Sequence, residues 1–240
     1  MLKTQKQIVR FIGIIMLFGI PIWALNKVYT ADFLIKNKKK YTSRGEFNEN
    51  DQTAIKNTLV FNEQGSIIIT ENVTFESKTF QPVEVKTSDL QTGRFEEISQ
   101  TEQGYKLRYR AHSNAPIQEK IIPRNGITLH GSYVPVYISN KMNRIVNGEV
   151  LAFQLLIVDR LSSYEFQVCQ NGIKTVDGKD YLEIILEPTS WIVKQFVPSI
   201  SFYYSPDNYQ KIVRYSGAIG PRDADGNVQT GEIIFHYPSE

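Results

Sequence analysis

The chain has 240 residues, 41% of them apolar, with 27 Lys and Arg, 25 Asp and Glu, and one cysteine. From residue 41 onward there are 19 basic and 24 acidic residues, a balance of −5 that offers no electrostatic footprint for nucleic acid. The single Cys169 excludes an internal disulfide, and it reads as a half-buried small apolar residue in an alternating strand rather than as a reactive thiol.

Residues 1–10 carry Lys3, Lys6 and Arg10, and residues 11–25 are apolar apart from Gly13, Gly19 and Pro21. Fifteen residues are short for a membrane span of about 20 and suit the core of a signal peptide. Extended back to Ile8, the run reads instead as an uncleaved N-terminal hydrophobic helix that anchors the chain. Either way it predicts export across an inner membrane, into the periplasm or cell envelope, either anchored or secreted. The membrane is then a partner through this segment. Residues 26–54 are polar and rich in Lys and Asn, which reads as a linker. The cluster Lys36, Lys38, Lys39 and Lys40 offers the sharper alternative of contact with anionic headgroups.

From residue 55 to 240 one antiparallel β domain is expected. Residues 59–61 and 66–70 stand at hairpin spacing around Gly65, and 73–75 and 83–85 continue the pattern, with Pro82 marking an edge or bulge. Tyr105, Leu107, Tyr109 and Ala111 alternate with Lys106, Arg108 and Arg110, so the cations are expected on a solvated outer face. Residues 129–145 break this rhythm. Tyr133, Val136, Tyr137, Asn140 and Met142 fall at helical spacing, with Ser132 as N-cap, Pro135 early and Asn147-Gly148 as a stop. A strand over 133–138 is the competing reading, and the helix is preferred because its apolar stripe would cover the strand after it.

The near-unbroken apolar run 150–158 reads as a strand buried on both faces, hence at the centre of the sheet. Residues 161–168 then pair with 173–176 across Gln170-Asn171-Gly172, and Asp177-Gly178 is a strong two-residue turn into 181–187. Further strands are expected at 199–204, 211–216 and 232–237, with 217–231 as a long loop. The fold class is therefore mainly β: a strongly bent antiparallel meander or open barrel with a short covering helix, preceded by the N-terminal hydrophobic helix.

Chemistry-bearing motifs are scarce. His112, His130 and His236 have no second His or Cys at ligand spacing, so no metal or other cofactor is expected. Asp223-Ala224-Asp225-Gly226-Asn227 starts like a calcium loop but lacks the later Gly and Glu, and reads as an acidic turn. No nucleophile elbow or phosphate loop is present, so no catalytic residue is assigned and the chain is expected not to be an enzyme.

Residues 150–158, Asp159-Arg160-Leu161-Ser162-Ser163-Tyr164, the Asp177-Gly178 turn, Glu187-Pro188 and 211–217 together resemble uncharacterised secreted bacterial β-sheet domains. That resemblance covers about half the chain and implies a fold similar to the periplasmic lipoprotein carriers; it carries no catalytic residue. The expected role is a non-enzymatic exported domain binding an apolar, amphipathic or lipid-like ligand. The aromatic supply of Trp191, Phe196, Phe202, Tyr203, Tyr204, Tyr209 and Tyr215 motivates it. The candidate ligand residues are Tyr133, Tyr137, Arg160, Trp191, Phe202 and Tyr204. An envelope scaffold without a cavity is the alternative, and a hydrolase assembled from residues distant in sequence is a third reading.

Overall fold

The structure is a computed structural model describing residues 27–194, 197, 199–223 and 226–238. The N-terminal apolar segment and Phe196 lie outside the described residues. In chain order the strands are β1 (Lys27–Ile35), β2 (Lys38–Glu49), β3 (Thr53–Phe61), β4 (Ile67–Glu76), β5 (Pro82–Asp89), β6 (Phe95–Thr101), β7 (Gly104–Arg110), β8 (Gln118–Ile122), β9 (Thr128–His130), β10 (Leu151–Ile157), β11 (Ser162–Val176), β12 (Lys179–Pro188), β13 (Ile200–Ser205), β14 (Asn208–Arg222) and β15 (Val228–His236). Among the described residues two α-helices, α1 (Val134–Val146) and the single turn α2 (Trp191–Lys194), interrupt them.

All fifteen strands form one sheet in the order β8-β7-β6-β5-β4-β3-β2-β1-β15-β14-β13-β12-β11-β10-β9. The first and last strands meet in its middle, with Thr30 opposite His236 and Leu34 opposite Glu232. Every neighbour is antiparallel except the short β9, which runs parallel to β10. A twisted sheet this wide must curl. Its two ends turn towards each other, so that β6 and β7 pack on the 3-10 turn Val158–Arg160 and β5 packs on β9. No ladder joins β8 to β9, and the roll stays open.

Several expectations are corrected. The stretch read as a polar linker forms β1 and β2. It buries Tyr29, Ala31, Phe33 and Phe47, alternating with the less buried Thr30, Asp32, Leu34, Glu46 and Asn48. The run 150–158 contains β10, one strand from the edge rather than central; Leu151, Phe153, Leu155, Leu156 and Ile157 are buried, whereas Ala152 is exposed. Residues 162–176 form one continuous strand with a bulge between Gln170 and Ile173, so they do not pair with each other. The 217–231 segment is largely strand, with β14 reaching Arg222 and β15 beginning at Val228. β6 and β8 were not anticipated.

The helix is present as α1, with Pro135 in its first turn and Gly148 at φ +88° just beyond its end. Asn140, Asn143, Arg144 and Asn147 are exposed, at the three- and four-residue spacing of one helical face. Val134, Val136, Tyr137, Ile138, Met142 and Ile145 are buried, and α1 rests on β11 and β14. Ser132 is not its cap. The N-cap position is Tyr133, without a side-chain capping bond, because the Ser132 hydroxyl donates to Glu71 instead.

Candidate functional site

The inner face of the first seven strands carries a polar stripe. Tyr29 stands opposite Gly45, Gly45 opposite Thr58, and Thr58 opposite Glu71. Glu71 stands opposite Thr87, Thr87 opposite Glu96, and Glu96 opposite Tyr109. From Tyr29 to Glu96 every member is buried. Gly45 is required by a close approach: a Cβ there would lie 1.9 Å from the Tyr29 ring. The Tyr29 hydroxyl lies 3.4 Å from Thr58 Oγ1.

Lys56, two residues from Thr58 on β3, is 0% exposed and donates to Glu71 Oε1 at 3.2 Å and to the Ser132 carbonyl at 3.4 Å. Ser132 Oγ donates to Glu71 Oε2 at 2.7 Å. Buried ions are tolerated only when so paired. Burial lowers the Lys56 ammonium to about 8 against the pull of Glu71, and raises the Glu71 carboxyl. His130 is pushed down to about 3, first by burial and then by Lys56, so it is neutral at physiological pH. Its Nδ1 accepts from the Ser132 backbone N–H at 3.4 Å.

A serine, a histidine, a lysine and a glutamate distant in sequence thus meet. Their bonding is that of a lock. The Ser132 hydroxyl is held by Glu71, His130 takes a backbone proton, and none of the four is more than 2% exposed. The set ties β3 and β4 to the turn preceding α1.

A second buried cluster ties β6 to β14. Arg94 Nη1 donates to Glu96 Oε1 at 2.8 Å and Nη2 to the Gly220 carbonyl at 3.5 Å. Arg222 Nη2 reaches Asp159 Oδ2 at 3.4 Å, and Nη1 reaches the Gly226 carbonyl at 3.1 Å. Burial raises Glu96 to about 7; Arg94 opposes the shift and Asp159 adds to it. Burial also raises Asp159, against Arg160 and Arg222.

Antiparallel alternation places the turns 36–37, 62–66, 90–94, 158–161 and 223–227 at one end of the roll, and both Lys27 and Tyr237 at the other. At the turn end, three of these turns and the ends of β1, β2 and β15 border an open cleft of about 340 Å³ whose lining includes Tyr41, Gln64, Gln91, Asp223 and Gln229. Gln229 Nε2 donates to the Tyr41 hydroxyl at 3.1 Å and to the Pro221 carbonyl at 2.9 Å.

The residues selected from sequence are dispersed. Tyr133 is fully buried, 4.4 Å between ring centroids from Phe75, and its hydroxyl donates to the Thr74 carbonyl. Tyr137 sits edge-on between Phe80 and Phe153. Tyr204 is buried with its hydroxyl on the Pro135 carbonyl, and Phe202 packs on Tyr215. Tyr133, Tyr137 and Tyr204 therefore gather around the start of α1 as core. Arg160 lies apart, beside Asp159 at 4.0 Å. Trp191 is 69% exposed on α2.

Sequence reasoning missed Lys56, Glu71, Arg94, Glu96 and Arg222. A signal existed for two of them. Glu71 shares strand parity with Ile69, Val73 and Phe75, and Lys56 with Ala54 and Val60. Among the described residues, no three His, Cys, Asp or Glu side chains cluster as metal ligands would, and no helix is long and apolar enough to cross a membrane.

No family model matches the chain, and no curated protein matches it. Among solved structures it is similar to a beta-barrel-like protein of domain of unknown function DUF1849 from Brucella abortus. That match has a TM-score of 0.46 and 10% identity, covering 93% of this chain and 100% of that one. A DUF1329 family protein from Desulfovibrio piger matches with a TM-score of 0.24 and 10% identity, over 88% of this chain and 82% of that one. Neither is described as a lipoprotein carrier, and likenesses this distant transfer no residue role.

Proposed function

We propose that the chain is an exported, membrane-tethered, non-enzymatic domain that works by binding at its surface rather than by enclosing an apolar ligand. One observation carries this reading. Tyr133, Tyr137, Phe202 and Tyr204, the side chains best placed to line a lipid chamber, are at most 2% exposed and packed against partner rings or bonded to backbone carbonyls. A ligand would have to displace that packing. The apolar run of residues 11–25 supports export and tethering. Lys27 and the 36–37 turn stand at opposite ends of β1, roughly 26–30 Å apart by strand rise. A tether at residue 26 therefore leaves the cleft end of the roll pointing outward.

Native mass spectrometry of the full chain released from detergent tests the reading. The expected result is a bare mass. A stoichiometric bound lipid would restore the carrier. Fusing the chain's C-terminus to a reporter active only outside the cytoplasm tests export, and a silent reporter would remove the tether from the reading.

A further inference from the structure

We propose that the cleft at the turn end of the roll is a carbohydrate-binding site. The proposal rests on the reading of the chain as a surface-binding domain and names where, and to what, it binds.

The lining has the chemistry of sugar recognition. Ile35 and the Tyr41 ring supply an apolar wall on which the C–H face of a pyranose packs. Around it stand the amides of Asn62, Gln64, Gln91 and Gln229. A side-chain amide offers a donor and an acceptor side by side, which matches two neighbouring hydroxyls, each itself donor and acceptor. The amides of Gln64 and Gln91 make no side-chain hydrogen bond among the described residues, and Gln229 spends only its nitrogen, on Tyr41 and Pro221. Donors and acceptors are thus available without breaking an existing bond.

Other ligand classes fit less well. Lys40, the cation of the lining, is already paired with Glu63 at 3.1 Å, so a phosphate or sulfate meets no uncompensated charge. Ile35 and Tyr41 are the apolar side chains of the lining, too short a wall to cover an acyl chain. At about 340 Å³ the cleft lies near the lower end of the roughly 300–1,000 Å³ typical of ligand pockets, which suits a short saccharide.

The contributing turns are also held in place before any ligand arrives. Asn62 Oδ1 accepts from the backbone N–H groups of Gln64 and Ser66, at 3.1 and 2.9 Å. Asp89 Oδ1 accepts from those of Gln91 and Thr92, each at 3.0 Å, and Asp223 Oδ1 accepts from that of Asn227 at 2.7 Å. Turns closed by their own side chains lose little freedom on binding.

The test uses the full chain in a detergent without a sugar headgroup. Calorimetric titration is run with chitohexaose and with maltohexaose, and with inorganic phosphate and dodecanoate for comparison. At least one of the two oligosaccharides should bind. The double variant Gln64→Ala/Gln91→Ala, altering two exposed side chains, should bind it about tenfold more weakly with an unchanged melting midpoint. Lys179→Ala, at the opposite end of the roll, should bind it as the wild type does. Failure of both oligosaccharides at millimolar concentration would overturn the proposal. So would equal binding by the double variant, or binding of phosphate or dodecanoate alone. Hydrolysis of a bound oligosaccharide, with the double variant still impaired in binding, would leave this site standing and refute the non-enzymatic reading instead.

Discussion

Lys56 and Glu71 hold opposite charges in a place where neither reaches water, and each depends on the other to remain charged. Removing one partner strands the other, which costs about 3–5 kcal/mol, whereas replacing both by apolar groups of similar size is close to neutral. Lys56→Met should therefore destabilise strongly in urea denaturation, and Lys56→Met/Glu71→Leu should recover most of the loss; equal losses would mean that the pair is not coupled. Glu96 adds a pH dependence. Its folded value of about 7 stands above the ordinary 4.5, so the folded state binds the proton more tightly. The contribution is fully present below pH 4.5 and is lost as pH rises through 7, a decline on the order of 3 kcal/mol. Glu96→Gln should flatten that part of the stability profile relative to wild type, and parallel profiles would show that Glu96 is not buried as an acid. His130 acts with the opposite sign. Its folded value of about 3 stabilises the neutral form, and that stability is lost as pH falls below its ordinary 6.5.

At the scale of elements, strands were legible where the inward residues are apolar. β7 shows this: Tyr105 and Leu107 are buried, and Lys106 and Arg108 pair outward with Glu119 and Glu97. The Asp177-Gly178 turn was equally clear. Both residues have positive φ, +52° and +73°, as a type I′ turn demands. Gly178→Val should cost about 1–3 kcal/mol through backbone strain alone, read as a lowered melting midpoint. An unchanged midpoint would place the turn elsewhere. β1 and β2 were hidden because their inward positions include Ser43 and Gly45, and because four lysines cluster at their turn. Gly45→Ala should destabilise by about 1–3 kcal/mol as Tyr29 is driven from its place. Combining it with Tyr29→Phe should not relieve the loss, since the ring rather than the hydroxyl is closest. β6 was missed because Glu96 occupies a core position, and β8 because four of its five residues are exposed. The candidate site was least legible of all. Its parts come from three turns and three strand ends spread over residues 35 to 229, and no local pattern announces their meeting.

At the scale of the whole molecule, the sheet is open, yet its two halves are fastened across the roll. Lys56, Glu71 and Ser132 fasten one place, Arg94 and Gly220 a second, and α1 rests on β11 and β14. On the proposed reading this interior is packed solid and binding is left to the surface. Tyr137 tests it most directly, since it stands among Phe80, Phe153 and the body of α1. Chemical denaturation of lipid-free Tyr137→Ala against wild type is the measurement. A ring that fills a close-packed core should take about 3–5 kcal/mol with it. A loss below about 1 kcal/mol would mean that the ring borders open space, and would contradict a packed interior.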